Sequence, residues 1–356
     1  QRPDADHLEV DSTAQSMSGY SVGLALGKQA GNHWRGELAL AATSPTFEVN
    51  DLGFQTRTDR RDAALNVTYL ENQPGRFLRS HSTTGIVRFE HNYSNQRILG
   101  ILGVFSRFLH MDYWSLTFNG QYHPTANDDR STRGGPLMER PAVWTLGGEF
   151  SSDARKTYTY GIGAGGGKDA YGGWNYSAGG SIGIKASSRW NLTLSPGVEK
   201  GYTLAQYVGT LPDPDATHTY GAHYLFAPLS QTTVSLETRL DFTFNPRLSF
   251  QLYAQPFIAS GDYEDVTELA KPRSYEFEPW TGDVPDLDFN YRSLRGTAVL
   301  RWEWRAGSTL YLAWQQARSN YAQGVGDFDL NRDSDALFGA RPDNVFVVKV
   351  NYWFSP

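Results

Sequence analysis

The 356-residue sequence contains no cysteine, which removes disulfide scaffolds, thiolate metal sites and cysteine nucleophiles from consideration. It has no basic excess either: the formal net charge is -6 and the isoelectric point is near 5.8. A nucleic-acid partner needs a basic stripe, so none is expected. Long apolar runs are also missing. The longest, Ile98 to Phe105, is broken by Gly100 and Gly103 and falls far short of the ~20 residues of a spanning helix. That excludes a helical inner-membrane protein. It leaves a β-barrel open, because a barrel strand needs only about ten residues with alternate ones apolar. A mean hydropathy of -0.49 is compatible with such a wall. No signal peptide stands at Gln1, so the numbering is expected to start after processing or inside a longer precursor.

What the sequence does have is alternation, 36 glycines and 14% aromatic residues. From Leu294 one parity reads Leu294, Gly296, Ala298, Leu300, Trp302, Trp304; the other reads Arg295, Thr297, Val299, Arg301, Glu303, Arg305. In a strand these sets point to opposite faces, one apolar and one charged. The split recurs with Val234, Leu236, Leu240, Phe242 and Phe244 against Ser235, Glu237, Arg239, Asp241 and Thr243. It recurs again with Trp114, Leu116 and Phe118 against Ser115, Thr117 and Asn119, and with Trp34, Leu38 and Leu40 against Arg35 and Glu37. Helical periodicity is nearly absent.

Two features favour a membrane wall over a soluble sandwich. Phe242 and Phe244, Trp302 and Trp304, and Tyr352 and Phe354 sit at strand ends beside short turns, where an interfacial aromatic girdle belongs. Short turns near 29–32, 72–75, 109–112, 151–155, 187–189, 245–247 and 305–308 alternate mostly with long polar segments at 44–60, 124–141, 211–219, 262–290 and 320–343. The connections near 93–96 and 168–173 are shorter exceptions. Outer-membrane barrels pair short periplasmic turns with long external loops.

The expected fold is therefore all-β: a transmembrane antiparallel up-and-down β-barrel over residues 1–356, with about fifteen or sixteen strands and an external segment over 1–16. The last strand, Val345 to Phe354, runs down into the periplasm and resembles the C-terminal signal read by the barrel-assembly machinery, although Ser355 and Pro356 follow the aromatic. The strong strands number about fifteen, whereas single-chain bacterial barrels have even numbers. Either His7–Val10 belongs to a weak sixteenth strand, or the chain is the C-terminal part of a larger barrel; the second is favoured.

Three stretches carry a family resemblance. The first is Phe47-Glu48-Val49-Asn50-Asp51-Leu52-Gly53-Phe54-Gln55 with Arg57, Asp59 and Arg60. The second is Tyr291-Arg292-Ser293-Leu294-Arg295-Gly296 running into Leu300-Arg301-Trp302-Glu303-Trp304-Arg305. The third is Pro342-Asp343-Asn344 leading to Lys349-Val350-Asn351-Tyr352. Across essentially its whole length the chain resembles bacterial outer-membrane proteins of unknown function, in which a carbohydrate-binding-like module of family-nine type precedes a barrel. The resemblance implies a barrel portion with the sugar-binding-like module upstream, and it carries over no catalytic residue.

Few motifs suggest chemistry. Gly161-Ile162-Gly163-Ala164-Gly165-Gly166 satisfies GxGxxG, but alternation continues where a dinucleotide fingerprint needs a helix. It reads instead as a glycine stripe on one strand face, making room for a bulky neighbour. The charged set Arg35, Glu37, Glu237, Arg239, Asp241, Arg295, Arg301, Glu303 and Arg305 is either a solute-selecting constriction or an internal ion-pair network. Trp114, Phe242, Phe244, Leu300, Trp302, Trp304, Tyr352 and Phe354 form the lipid-facing and girdle set. Glu264, Asp265, Glu268, Tyr275, Trp280, Asp327 and Asp329 are candidate cation or sugar contacts in acidic loops. No cofactor is expected beyond Ca²⁺ at those loops, whose spacing is not that of an EF-hand. His81 lies between Ser80 and Ser82 without a nearby acid and reads as a wall or lumen residue. The leading expectation is a non-enzymatic outer-membrane barrel that passes or docks a solute such as a glycan. Its partners would be outer-membrane lipid, lipopolysaccharide and the assembly machinery. A structural anchor barrel and an embedded hydrolase are the alternatives.

Overall fold

The structure is a computed structural model that describes residues 2–9 and 13–354. Its strands, in chain order, begin with β1 (Ser21–Lys28), β2 (Trp34–Thr43), β3 (Arg60–Glu71), β4 (Leu78–His91), β5 (Arg97–His110) and β6 (Ser115–His123). Then come β7 (Ala126–Asp128), β8 (Met138–Arg140), β9 (Val143–Ser151), β10 (Tyr158–Asp169), β11 (Trp174–Ser187) and β12 (Trp190–Pro212). The chain continues with β13 (Ala222–Asn245), β14 (Leu248–Tyr263), β15 (Thr267–Leu269), β16 (Phe277–Pro279), β17 (Phe289–Arg305) and β18 (Ser308–Gln323). A ten-residue helix α1 (Leu330–Gly339) precedes the last strand, β19 (Asp343–Asn351).

Four of the nineteen strands (β7, β8, β15 and β16) are three-residue pieces inside loops. The other fifteen pair antiparallel in chain order, from β1 through β6, then β9 to β14, then β17 to β19. This is the predicted up-and-down meander. Among the described residues β1 and β19 do not pair with each other, so the sheet is open rather than a closed barrel. The weak strand proposed over His7–Val10 does not form at His7–Glu9, because Asp6–Leu8 make a 3₁₀ turn. Val10 lies outside the described residues, as do Ser355 and Pro356.

Register carries one face across the entire sheet. Leu26 stands opposite Leu38, then Leu65, Val87, Leu102, Tyr122 and Trp144 on successive strands. At the other end Leu192 leads to Leu240, Leu252, Ala298, Trp314 and Phe346. The rows are bare at Leu26 (64% exposed), Trp144 (62%) and Phe346 (74%), and half-buried at Leu192, Leu240 and Leu252. The opposite face carries Gly, Ser, Thr, Asn, Gln and the charged residues. A soluble antiparallel sheet buries its apolar face and wets its polar one. Here the arrangement is reversed.

Aromatic rings mark the short-turn end of the apolar face. His33 stacks on Tyr69 at 5.5 Å, and Tyr69, His81 and Phe108 follow one another at 5.6 and 6.1 Å. Trp114 lies against His110 at 4.5 Å and Phe150 at 5.7 Å. The pairs Phe242–Phe244, Trp302–Trp304 and Tyr352–Phe354 continue the belt on later strands. His81 is thus a wall residue within this belt.

Conventional burial lies in the long loops. Leu137, Phe226 and Leu269 are fully enclosed, and Met138, Ala222 and Tyr224 pack with Phe226 and Leu269 against Tyr207, Tyr275 and Phe277. The reason is local: β12 and β13 run 23 and 24 residues, and their register slips at Thr203/Gln206 and Tyr207/Gly209. Each slip moves side chains to the other face, so the far end of the hairpin builds its own core.

Candidate functional site

The polar face between β9 and β14 is concave, because one hollow of about 570 Å³ is lined from Glu149 on β9 through to Gln255 and Phe257 on β14. A second hollow of about 450 Å³ adjoins it, the two sharing Ser177, Glu199 and Thr233. The floor is glycine. Gly161, Gly163, Gly165 and Gly167 share one face of β10, as their parity predicts, and register sets Gly147 beside Gly165, and Gly179 beside both Gly163 and Gly197. The absence of side chains at these points makes the depth. β10 continues as a strand, so the GxGxxG match has no phosphate-binding helix.

All of the charged set but Arg305 lies on the polar face; a register shift after Glu303 turns Arg305 toward Tyr352 in the aromatic belt. Glu237, Arg239 and Asp241 occupy β13, with Arg239 Nε donating to Glu237 at 2.8 Å and Gln251 donating to Asp241 at 3.0 Å. Arg295, Arg301, Glu303 and Arg305 occupy β17, where Arg301 donates to Glu303 at 3.0 Å. Between the two strands, β14 contributes Gln251, Tyr253 and Gln255, so these charges form one local field. Arg35 and Glu37 share the polar face of β2, opposite Thr68 and Asn66, several strands away from that field. A denser network escaped the sequence reading. At the long-loop end Arg57 bridges Glu90 (3.0 Å) and Asp129 (2.6 Å), while Asp62 takes Arg60 (3.0 Å) and Arg88 (3.2 Å). The alternation of Arg60 with Asp62, and of Arg88 with Glu90, was its available signal.

The long loops fold into a cap over this end. The Arg273 amide donates to Leu137 O, and the Glu139 amide to Ser274 O, joining the β6–β9 and β14–β17 connections. Six wall strands separate those connections along the sheet, roughly 25 Å at the usual strand spacing. The contact therefore reaches across the mouth of the concave face. The Tyr171 hydroxyl donates to Glu139 at 2.9 Å and its ring meets Tyr275 at 4.7 Å. The N-terminal segment joins in: Asp4 accepts from the Leu137 amide at 3.1 Å, and His7 sits 2.9 Å from Asp59 and 2.7 Å from Ser94.

His223 clasps the cap to the wall hairpin. Its Nε2 lies 2.9 Å from Asp213 Oδ2, its Nδ1 meets Glu268, and Trp280 packs at 5.0 Å. Hydrogen bonds to Asp213 and Glu268 raise the imidazole above its ordinary value, and the bond from His223 lowers Asp213. The histidine contribution is complete below its usual pKa and fades as pH rises through the raised one; the Asp213 contribution is complete above the carboxylate range and fades as pH falls through the lowered value. The clasp is thus firm in mild acid and loosens as pH rises through the raised histidine value. Protease cutting within 264–288 should run several-fold faster at pH 9 than at pH 6, and His223→Gln should remove that difference; equal rates in the unmodified protein would refute the clasp.

The acidic-loop candidates separate into those that hold the cap together and those that line a hollow. Glu268 holds His223, Tyr275 packs in the cap core, Asp327 pairs with Arg332 at 2.9 Å, and Asp329 caps the helix α1 by accepting from the Arg332 amide at 2.8 Å. Glu264, Asp265 and Trp280 line a loop hollow of about 460 Å³. Among the described residues no cluster of three or more His, Asp or Glu side chains is gathered to hold a metal ion.

Together these features define a class: a large antiparallel sheet, apolar on one face and polar on the other, crowned at one end by folded loops. The family described as Domain of unknown function (DUF5916) matches residues 4–355, and the chain belongs to it. No curated protein and no solved structure matches the chain.

Proposed function

We propose that this chain forms most of the wall of an outer-membrane β-barrel whose polar face passes or docks a solute, with a glycan as the solute class. The observation that carries the reading is the largely apolar face that register carries from strand to strand, much of it exposed and ringed with aromatics at the turn end. In water, contiguous apolar patches rarely exceed a few hundred Å², whereas a lipid-facing barrel surface requires such a face. The turns then lie in the periplasm and the cap outside, and the exposed loops meet lipopolysaccharide. The final strand and Tyr352–Phe354 would be what the assembly machinery reads.

A glycan is favoured by aromatic rings placed among polar groups on the polar face. Phe257 lies 6.4 Å from Tyr291, Arg239 stands over Tyr253, and Phe105 is 43% exposed there. Flat rings flanked by hydrogen-bonding side chains suit sugar rings, which present an apolar face and a polar rim. The upstream carbohydrate-binding-like module implied by the resemblance agrees with this choice. The reading involves no reaction and assigns no catalytic residue.

The cap favours a second reading, an anchor whose loops hold a surface assembly without transport, because it spans the mouth. Planar bilayers separate the two. The purified protein should show discrete conductance that falls when oligosaccharide is added. A barrel that stays shut, with no sugar uptake by vesicles, would leave the anchor.

A further inference from the structure

The fifteen wall strands are joined by fourteen antiparallel ladders. Each ladder reverses direction, so β1 and β19 run the same way, both from the loop end to the turn end. Among the described residues they are also the two free edges. All eight residues of β1 and all nine of β19 are exposed, on both faces.

Neither strand is built as an edge. Sheet edges that face water are blunted by proline, charge, bulges or extreme shortness. From Val345 to Val350 the sequence is Val-Phe-Val-Val-Lys-Val, a regular run with one charge. Val345 and Val347 are 52% and 48% exposed on the face that is polar elsewhere. In β1 the only charge is Lys28, the last residue, and Leu24 and Leu26 are more than half exposed. A bare edge of this composition would pair with any strand offered to it.

A second copy of this chain does not supply that strand. A two-fold axis along the membrane normal would set β1 of one copy beside β19 of the other, still parallel. A two-fold axis in the membrane plane would make antiparallel pairs, but would put the short turns of the two copies on opposite sides. We propose that the gap between β1 and β19 is bridged by an odd number of amphipathic strands from polypeptide outside residues 1–356, apolar toward lipid and antiparallel to both edges. An odd addition to fifteen makes the total even, as bacterial single-chain barrels require. This inference rests on the membrane reading for the even total and for the exclusion of a second copy, while the common direction of β1 and β19 and their edge composition hold without it.

The absence of cysteine makes the test clean. The complete protein in its native outer membrane is examined by hydrogen exchange and by disulfide trapping. Ala25 and Val347 lie on the same polar face of β1 and β19, so strands in direct contact would bring cysteines there within disulfide range. The edge amides of β1 and β19 should exchange roughly a hundredfold or more slower than free amides. Ala25→Cys paired in turn with Val345→Cys, Val347→Cys or Lys349→Cys should give no internal disulfide, and Ala25→Cys or Val347→Cys alone should give no covalent dimer. Unprotected edges, an internal β1–β19 disulfide or a copy-to-copy dimer would each overturn the proposal. Alkaline carbonate extraction of the same membranes judges the membrane reading by itself, so the two failures are distinguishable.

Discussion

Replacing Leu300 with arginine is expected to cost the folded protein about 1–3 kcal/mol in lipid vesicles, between the interfacial and mid-bilayer values for arginine on a lipid face, measured by reversible denaturant unfolding. Leu300 lies on the apolar face between Phe250 and Leu312, one step along the strand from the aromatic belt at Trp302. Its neighbour Val299 points the other way, opposite Gln251 and Ala313 on the polar face. Val299→Arg should therefore cost less, within about 1 kcal/mol. The contrast is what matters. If the apolar face met water, arginine at position 300 would be an ordinary surface substitution worth about 0.5 kcal/mol, and the two variants would behave alike.

The second large effect is expected at Arg292, whose guanidinium is buried with the carboxylate of Asp333. Nη2 and Nε lie 2.7 and 3.2 Å from Asp333 Oδ1, and Nη1 donates to Asn320 at 2.7 Å. Asn290 and the Asp329 amide take the other carboxylate oxygen. The cluster bolts α1 to β17. Burial alone would raise the Asp333 pKa, but the bonds from Arg332, Arg292 and Asn290 outweigh it and hold it at about 2. A depressed carboxylate contributes stability above the ordinary range and loses it as pH falls through the lowered value, so the bolt should fail only in strong acid. Removing one partner of a buried ion pair costs about 3–5 kcal/mol, mainly by stranding the other charge. Arg332 still reaches Asp333 at 2.9 Å, which places Arg292→Met near the lower end. The double variant Arg292→Met with Asp333→Leu should recover much of the loss in an unfolding cycle. A single variant as stable as the parent would show that the pair does not hold the helix.

Most of the wall was legible because the period-two signal is local and repeated. Each short turn read from the sequence joins two strands of the sheet, and Leu294 to Glu303 has the faces its parity implies, which a bulge before Arg305 then breaks. What escaped depends on distance or on broken pattern. The helix α1 hid in the acidic run from Asp327 to Asp335, although Asp329 as cap and Leu330 with Leu337 one heptad apart carried its signature. The cap core joins Met138, Phe226 and Leu269, which are remote in sequence, and the register slips in β12 and β13 interrupt the alternation that would have exposed it. The glycine stripe of β10 could be read alone; its widening by Gly147, Gly179 and Gly197 needed the register of three neighbours. Openness between β1 and β19 agrees with the odd strand count.

Water accessibility along β17 tests the central claim most directly. Single cysteines at positions 294 to 301, in a protein with none of its own, can be exposed in native membranes to a water-soluble maleimide. Positions 295, 297, 299 and 301 should react, while 294, 296, 298 and 300 stay unlabelled until detergent is added. Equal labelling of both sets, or labelling confined to the even positions, would contradict a wall that turns its apolar face to lipid.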